Sequence, residues 1–338
     1  MSTLHLVIFF CVQQIGGAWT VESPLDLGNN LALGSTQLVH GPDVDLDGFP
    51  EILVADSAFG DVYCLSAQTA AVYWRWWTPF EDRRVKAALG TVPDVNGDGI
   101  DEVLIGSPYY EVAVFVDGGR IYLVDGRTGT TIRHHDGSAN AFWSPNGENL
   151  GYSVLGVKDM DGDGRGEYLA GAPFSDRLGF LGQFSGVVYC WSGATGSLLW
   201  MQSGQTEELF GLFLSNGPDL TNDGRREVLV GSPSRSTAAR PQGLVAVLDG
   251  SSGATLYELL GSTYLVGTRP FGSSVVLLPD LDEDGQEDIF VGASSSSVNG
   301  IPYAGEAFII SGRTSNLIWT EVGTSSLQGF GSYAAACA

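Results

Sequence analysis

The chain has 338 residues, 43% of them hydrophobic and 16% charged, with 39 acidic against 16 basic side chains and a formal charge of −23. That balance excludes nucleic acid as a partner, because phosphate recognition needs a basic face, and it suits cations or cationic patches on other proteins. Length alone suggests about two domains, a prior that yields to an internal repeat, since repeats can build one large domain.

At the N-terminus, Leu4 to Val12 is apolar apart from His5 and too short to span a bilayer. Gly16, Gly17 and Ala18 follow as the small residues of a signal-peptidase site, although no Lys or Arg precedes the run. Residues 1–18 are therefore read as a signal peptide, with a buried first strand as the alternative, and residues 19–338 as one domain of a secreted or cell-surface protein. No later segment is long and apolar enough to cross a membrane. Cys11 would leave with the leader, and Cys64, Cys190 and Cys337 define no disulfide framework.

Five similar segments then begin at Asp43, Asp94, Asp159, Asp219 and Asp280, at offsets of 51, 65, 60 and 61 residues. A pair ending in glycine stands upstream of each: Leu33-Gly34, Leu89-Gly90, Leu150-Gly151, Phe210-Gly211 and Phe271-Gly272. Phe330-Gly331 opens a sixth unit. Each unit reads as four short strands. Strand A follows the pair, as in Ser273 to Leu278. Strand B is the apolar run after the acidic segment, such as Val103 to Ile105. Strand C follows a glycine, as in Ile121 to Val124, and leads into a turn such as Asp125 to Gly129. Strand D carries aromatics such as Trp74, Trp200 and Trp319. Short β-branched and aromatic strands separated by Gly, Asp, Ser and Thr turns predict antiparallel structure, and four strands per unit of this length match a propeller blade. The expected fold is an all-β propeller with blades over 33–77, 89–135, 150–203, 210–261 and 271–322 and a partial sixth from 330, read as part of a seven-bladed ring. A β-helix would repeat on a shorter period, and a sandwich would not repeat one acidic loop five times.

In that loop, carboxylates recur at positions 1, 3, 5 and 9, with glycine at position 6. The first loop has Asp43, Asp45, Asp47 and Glu51; the third Asp159, Asp161, Asp163 and Glu167; the fifth Asp280, Asp282, Asp284 and Asp288. The second has Asp94, Asn96, Asp98 and Glu102, and the fourth Asp219, Thr221, Asp223 and Glu227, beside Arg225 and Arg226. Alternate carboxylates on a tight turn repel one another unless a cation sits among them. A hard ion taking six to eight oxygens answers this, and calcium tolerates irregular shells better than magnesium. Position 7 would add a main-chain carbonyl: Phe49, Ile100, Arg165, Arg225 or Gln286. Up to five Ca²⁺ ions are expected, the weakest in loop four. An EF-hand would need Glu at position 12, where Val54, Ile105, Ala170, Val230 and Val291 stand instead. The structural alternative is a set of solvated acidic turns.

These residues resemble the FG-GAP repeats of the integrin α-subunit N-terminal propeller and of related bacterial secreted proteins. Phe210-Gly211 and Phe271-Gly272 match the first half of that motif. Gly171-Ala172-Pro173 matches the second, with Gly106-Ser107-Pro108, Gly231-Ser232-Pro233 and Gly292-Ala293-Ser294 as variants, while Val54-Ala55-Asp56 departs from it. The resemblance implies calcium binding and an extracellular adhesion or interaction role, with a protein or glycan partner and no enzymatic activity. In a meander, the A–B loops and C–D turns share one face. The B–C and D–A connections share the other, which holds Phe80, Arg83, Arg84, Tyr109, Tyr110, Phe142, Trp143, Phe174, Phe180, Arg235, Arg240 and Tyr303. Aromatic and Arg side chains suit an interface there, although such residues also pack between blades.

Two enzyme readings stand as alternatives. The turn at Thr195-Gly196 before Trp200 is similar to quinoprotein propellers, which often carry adjacent cysteines that are absent here. A calcium-dependent polysaccharide lyase would need a base, for which only Lys86, Lys158 and the histidines, including His134-His135, are available. No nucleophile elbow, P-loop or zinc motif occurs. A structural spacer within a larger surface protein is the third alternative.

Overall fold

The computed structural model describes residues 37–56, 60–77, 88–112, 117–138, 147–176, 184–205, 207–233, 236–237, 240–264 and 270–332. The leader, Leu33-Gly34, Cys11 and Cys337 fall outside them. The first blade is β1 (Gln37–His40), β2 (Ile52–Asp56), β3 (Asp61–Leu65) and β4 (Val72–Trp76). The second is β5 (Ala88–Val92), β6 (Glu102–Ser107), β7 (Arg120–Val124) and β8 (Thr131–Asp136). The third is β9 (Ser153–Val157), β10 (Glu167–Ala172), β11 (Val187–Trp191) and β12 (Leu198–Ser203). The fourth begins with β13 (Phe213–Asn216) and β14 (Val228–Ser232), carries a small ladder of β15 (Ser236–Thr237) with β16 (Arg240–Pro241), and ends with β17 (Leu244–Leu248) and β18 (Thr255–Leu260). A single helical turn, α1 (Gly261–Tyr264), follows; it is too short to leave a periodic signal. The fifth is β19 (Ser274–Leu278), β20 (Asp288–Ala293), β21 (Glu306–Ile310) and β22 (Leu317–Val322).

Each blade is a four-stranded antiparallel meander, and the five blades form a β-propeller arrangement. Consecutive blades pack through their first strands, β1 on β5, β5 on β9, β9 on β13 and β13 on β19. The core lies between blades. Val103 and Ile105 of β6 face Leu53, Cys64 and Trp74 of the first blade, whereas Leu104 faces Tyr168 and Ala170 of the third. A strand covered on both faces has no polar side, which is why the B and C strands read as continuous apolar runs and not as alternating ones. Cys64 and Cys190 are free and buried in these interfaces, and burial pushes the Cys64 thiol up to about 12.

Strand C carries an irregularity at the same place in every blade, which sets Cys64 opposite Trp74, Leu123 opposite Arg133, Cys190 opposite Trp200, Val247 opposite Tyr257 and Ile309 opposite Trp319. The strand D residue then reaches over the C–D turn of the next blade. Trp74 Nε1 donates to the Gly126 carbonyl at 2.8 Å, Arg133 to Ala194 at 3.1 Å, Trp200 to Gly250 at 2.9 Å and Tyr257 to Gly312 at 3.1 Å. Trp74 and Trp200 are 7% and 8% exposed, while Trp319 in the last described blade is 40% exposed.

The glycine pairs are the joints between blades. Leu150, Phe210, Phe271 and Phe330 bridge in parallel to Gly119, Gly186, Gly243 and Gly305, each in the preceding blade. The glycine after each takes a φ of +80 to +88, open to few other residues. Its carbonyl lies where a side chain on the preceding blade would stand: a Cβ at Gly106, Gly171, Gly231 or Gly292 would come within 1.9–2.4 Å of the oxygen of Gly151, Gly211, Gly272 or Gly331. Leu89-Gly90 does not belong to this set. It lies inside β5, paired with Ile105 and Leu104, four residues before Asp94 where the other described pairs stand eight residues before theirs. The equivalent positions, 85 and 86, lie outside the described residues.

Candidate metal centre

The A–B loops share a face with the C–D turns, as expected. Gln68 on the first turn bonds Asp47, Asn96 bonds Asp125 at 3.0 Å, and Ser311 bonds Asp284 at 3.1 Å. Within each loop the geometry repeats. The position-6 amide, from Gly48, Gly99, Gly164, Gly224 or Gly285, donates to Oδ2 of the first Asp at 2.8–3.1 Å. The amides of Phe49, Ile100, Arg165, Arg225 and Gln286 donate to the position-5 Asp at 2.8–3.0 Å, which fixes the position-7 residue at the edge of the loop.

The position-9 acid is the decisive member. It opens or immediately precedes strand B and is buried: Glu51 is 3% exposed, Glu102 and Glu167 0%, Glu227 1% and Asp288 0%. One oxygen of each accepts main-chain amides, from Ala67 to Glu51, Val95 to Glu102, Met160 to Glu167, Leu220 and Thr221 to Glu227, and Leu281 to Asp288. The other oxygen of Glu102, Glu167 and Glu227 is buried with no partner. A buried carboxylate left so is costly. Burial, aided by the neighbouring aspartates, pushes Glu102 up to about 7 and Glu167 to about 8, and raises Glu51, Glu227 and Asp288 in the same direction. A divalent cation would satisfy the orphaned oxygens and cancel the repulsion, so the donor set fits a hard ion.

The loops differ in how many carboxylates converge. Asp159, Asp161, Asp163 and Glu167 bring oxygens within 4.8 Å of one another, as do Asp43, Asp45 and Glu51; Asp94, Asp98 and Glu102; and Asp280, Asp282 and Asp288. Four carboxylates were expected in loops one and five. The structure gathers three, because Asp47 is turned toward Gln68 and Asp284 toward Ser311. Among the described residues Asp219, Asp223 and Glu227 of loop four form no such group. Arg225 lies 3.4 Å from Asp223, but Arg226 leaves the loop for a two-pronged bond to Glu287 of the fifth blade at 2.6 and 2.9 Å. Two further side chains stand on loop two: Arg127 on Asp98 at 3.2 Å and Arg165, from loop three, 3.6 Å from Asp94.

On the opposite face, Tyr110 lies under Arg120 at 4.0 Å, Phe174 packs edge-on against Tyr152 and Phe184, and Tyr303 is 55% exposed. Tyr109 is half-buried, and Arg240 opens β16. Phe80, Arg83, Arg84, Phe142, Trp143, Phe180 and Arg235 lie outside the described residues, as does Lys86. Of the basic groups, Lys158 is exposed, and His135 is stacked on Trp191 at 4.7 Å and bonded to the Tyr168 hydroxyl at 2.8 Å.

Blades of this topology, each with an acidic A–B loop and, from the second blade onward, a glycine joint to the next, define a repeat propeller with several candidate cation sites. The FG-GAP repeat family model matches two segments of the chain, residues 87–124 and 271–310. It is similar to integrin alpha-4 of Xenopus laevis, 26% identical over 201 residues, which is 57% of this chain and 18% of that protein. It is 32% identical to integrin alpha-6 of Gallus gallus over 159 residues, 44% of this chain and 14% of that protein. It is also 32% identical to integrin alpha-PS2 of Drosophila melanogaster over 160 residues, 41% of this chain and 11% of that protein. The matches thus span less than a fifth of these relatives' length. Among solved structures, BamB from Moraxella catarrhalis overlays with a TM-score of 0.43 at 16% identity, covering 81% of this chain and 61% of that one.

Proposed function

We propose that the chain is a calcium-loaded binding module of the extracellular space or cell surface that docks a protein or glycan, and that it is not an enzyme. The observation that carries this reading is the buried, half-unpartnered glutamate at position 9 of loops two, three and four, set beside aspartates that repel it. Irregular all-oxygen shells of this kind favour calcium over magnesium, which demands a near-octahedral shell. The acidic loops and C–D turns commit their side chains to ions and to one another. The opposite face carries longer connections and the exposed Tyr303, which makes it the docking face. The similarity to integrin α-subunits supports an extracellular role.

The test is retention on immobilised extracellular-matrix proteins and a glycan array, with calcium and after EDTA. Calcium-dependent retention that Tyr303→Ala weakens, at unchanged melting temperature, supports the reading. Equal retention in EDTA, or none on any surface, refutes it.

A further inference from the structure

Loops two and three are joined by an arginine that belongs to one and sits on the other. Arg165 is position 7 of loop three, where its amide bonds Asp163 at 2.8 Å. Its side chain crosses the blade boundary: Nη1 is 3.4 Å from the Asp94 carbonyl and 3.6 Å from Asp94 Oδ2, the first carboxylate of loop two. The guanidinium lies against Gly97, where an added Cβ would stand 2.4 Å from Nη2. Glycine occurs at position 4 of a loop only where the next loop has arginine at position 7: Gly97 before Arg165, and Gly162 before Arg225, whose Nη2 lies 3.7 Å from the Cβ position there. Leu46 and Asn222 take that position before Ile100 and Gln286, with φ of +59 and +55. Arg127, from the C–D turn of the same blade, holds Asp98 of loop two at 3.2 Å. Two of the three clustered carboxylates of loop two thus carry a guanidinium, while Glu102 keeps a buried, unpartnered oxygen aimed into the site.

We propose that Arg165 is a positioning residue that makes loop two a weak, second-filled calcium site subordinate to loop three. This rests on the calcium reading above. Arg165 would offer its main-chain carbonyl to an ion in loop three, which would hold its main chain and so keep the guanidinium on Asp94. An ion in loop two must displace that guanidinium, because like charges cannot share the carboxylate. The two sites are therefore negatively coupled through one side chain, and by linkage the coupling is reciprocal.

The test is a calcium titration against a chromophoric chelator, with wild type, Arg165→Met and Gly97→Asn. Methionine keeps the main-chain carbonyl for loop three and removes the charge. Asparagine is already accommodated at this position in loop four, as Asn222, and would push the guanidinium away with its charge intact. Both variants should tighten one weak site about fivefold, the worth of a half-exposed ion pair. The gain should vanish when Asp98→Asn is added. Calcium uptake with the same affinities in wild type and both variants refutes the arginine latch alone. No saturable uptake by the wild type refutes the calcium reading and the latch together.

Discussion

Replacing Glu167 with glutamine separates a metal ligand from an ordinary core residue, because the two roles predict opposite signs without calcium. Glu167 is fully buried, bonds the Met160 amide through one oxygen and leaves the other unpartnered beside Asp159, Asp161 and Asp163. Without an ion, the neutral amide avoids the cost that burial and the neighbouring aspartates impose on this carboxyl above its usual range, so Glu167→Gln should melt at or above the wild type in EDTA at neutral pH. With calcium the order reverses. A site of about 0.1 mM affinity at about 2 mM calcium adds about 1.8 kcal/mol by mass action. A tenfold weaker site adds about 0.6 kcal/mol, so the variant forfeits about 1 kcal/mol, or about 2 °C in a domain of this size. Glu227→Gln in loop four, where no group of carboxylates converges, is the control and should forfeit less than half of that. The assay is thermal melting in EDTA and in calcium for the three proteins. An equal calcium-induced rise in wild type and Glu167→Gln would refute the assignment of Glu167 as a ligand.

Occupancy should be graded by convergence: at limiting calcium, Asp282→Ala should cost more bound ion than Asp223→Ala, whose carboxylate already faces Arg225, and equilibrium dialysis reads the difference. Trp200→Ala should cost about 3–5 kcal/mol by denaturant unfolding, as large aromatic deletions in a core do, whereas Trp319→Ala should cost less than about 1 kcal/mol because its ring is 40% exposed. Burial and the neighbouring Arg133 and His134 hold His135 down to about 4 from its usual 6.5, despite the opposing pull of Asp136. The unfolded chain therefore binds that proton more tightly, and the stability His135 contributes is whole above pH 6.5 and lost as pH falls toward 4. His135→Gln should flatten the decline of melting temperature across that window at saturating calcium, and an unchanged slope would assign the acid sensitivity to other groups.

The blade pattern was legible because it is written in local chemistry. Position-6 glycines, alternate aspartates and β-branched runs each report on a few neighbouring residues, and their recurrence fixed both the four-stranded unit and the acidic loop. Contacts between units left weaker traces. Leu89-Gly90 has the composition of an opening pair, but only its distance from Asp94 shows that it sits within a strand. Arg226 looks like a neighbour of loop four, yet its partner is Glu287, 61 residues on. Arg165 reads as a ligand through its carbonyl, while its side chain serves another loop 71 residues back. The one signal that could have shown this is the glycine at position 4, which is informative only when adjacent loops are compared.

The glycine joint has a consequence for how such a chain can change. Each of the third, fourth and fifth units carries one half of two different contacts, a glycine on strand B that receives the next blade and a hydrophobic-glycine pair that enters the previous one. A duplicated unit therefore arrives with both halves already matched and can be inserted without altering its neighbours. A point substitution enjoys no such freedom: a methyl group at Gly171 would meet the Gly211 oxygen at 1.9 Å, so the third and fourth blades would have to part. Gain or loss of a whole matched blade would thus disturb the joints less than a substitution within one of them.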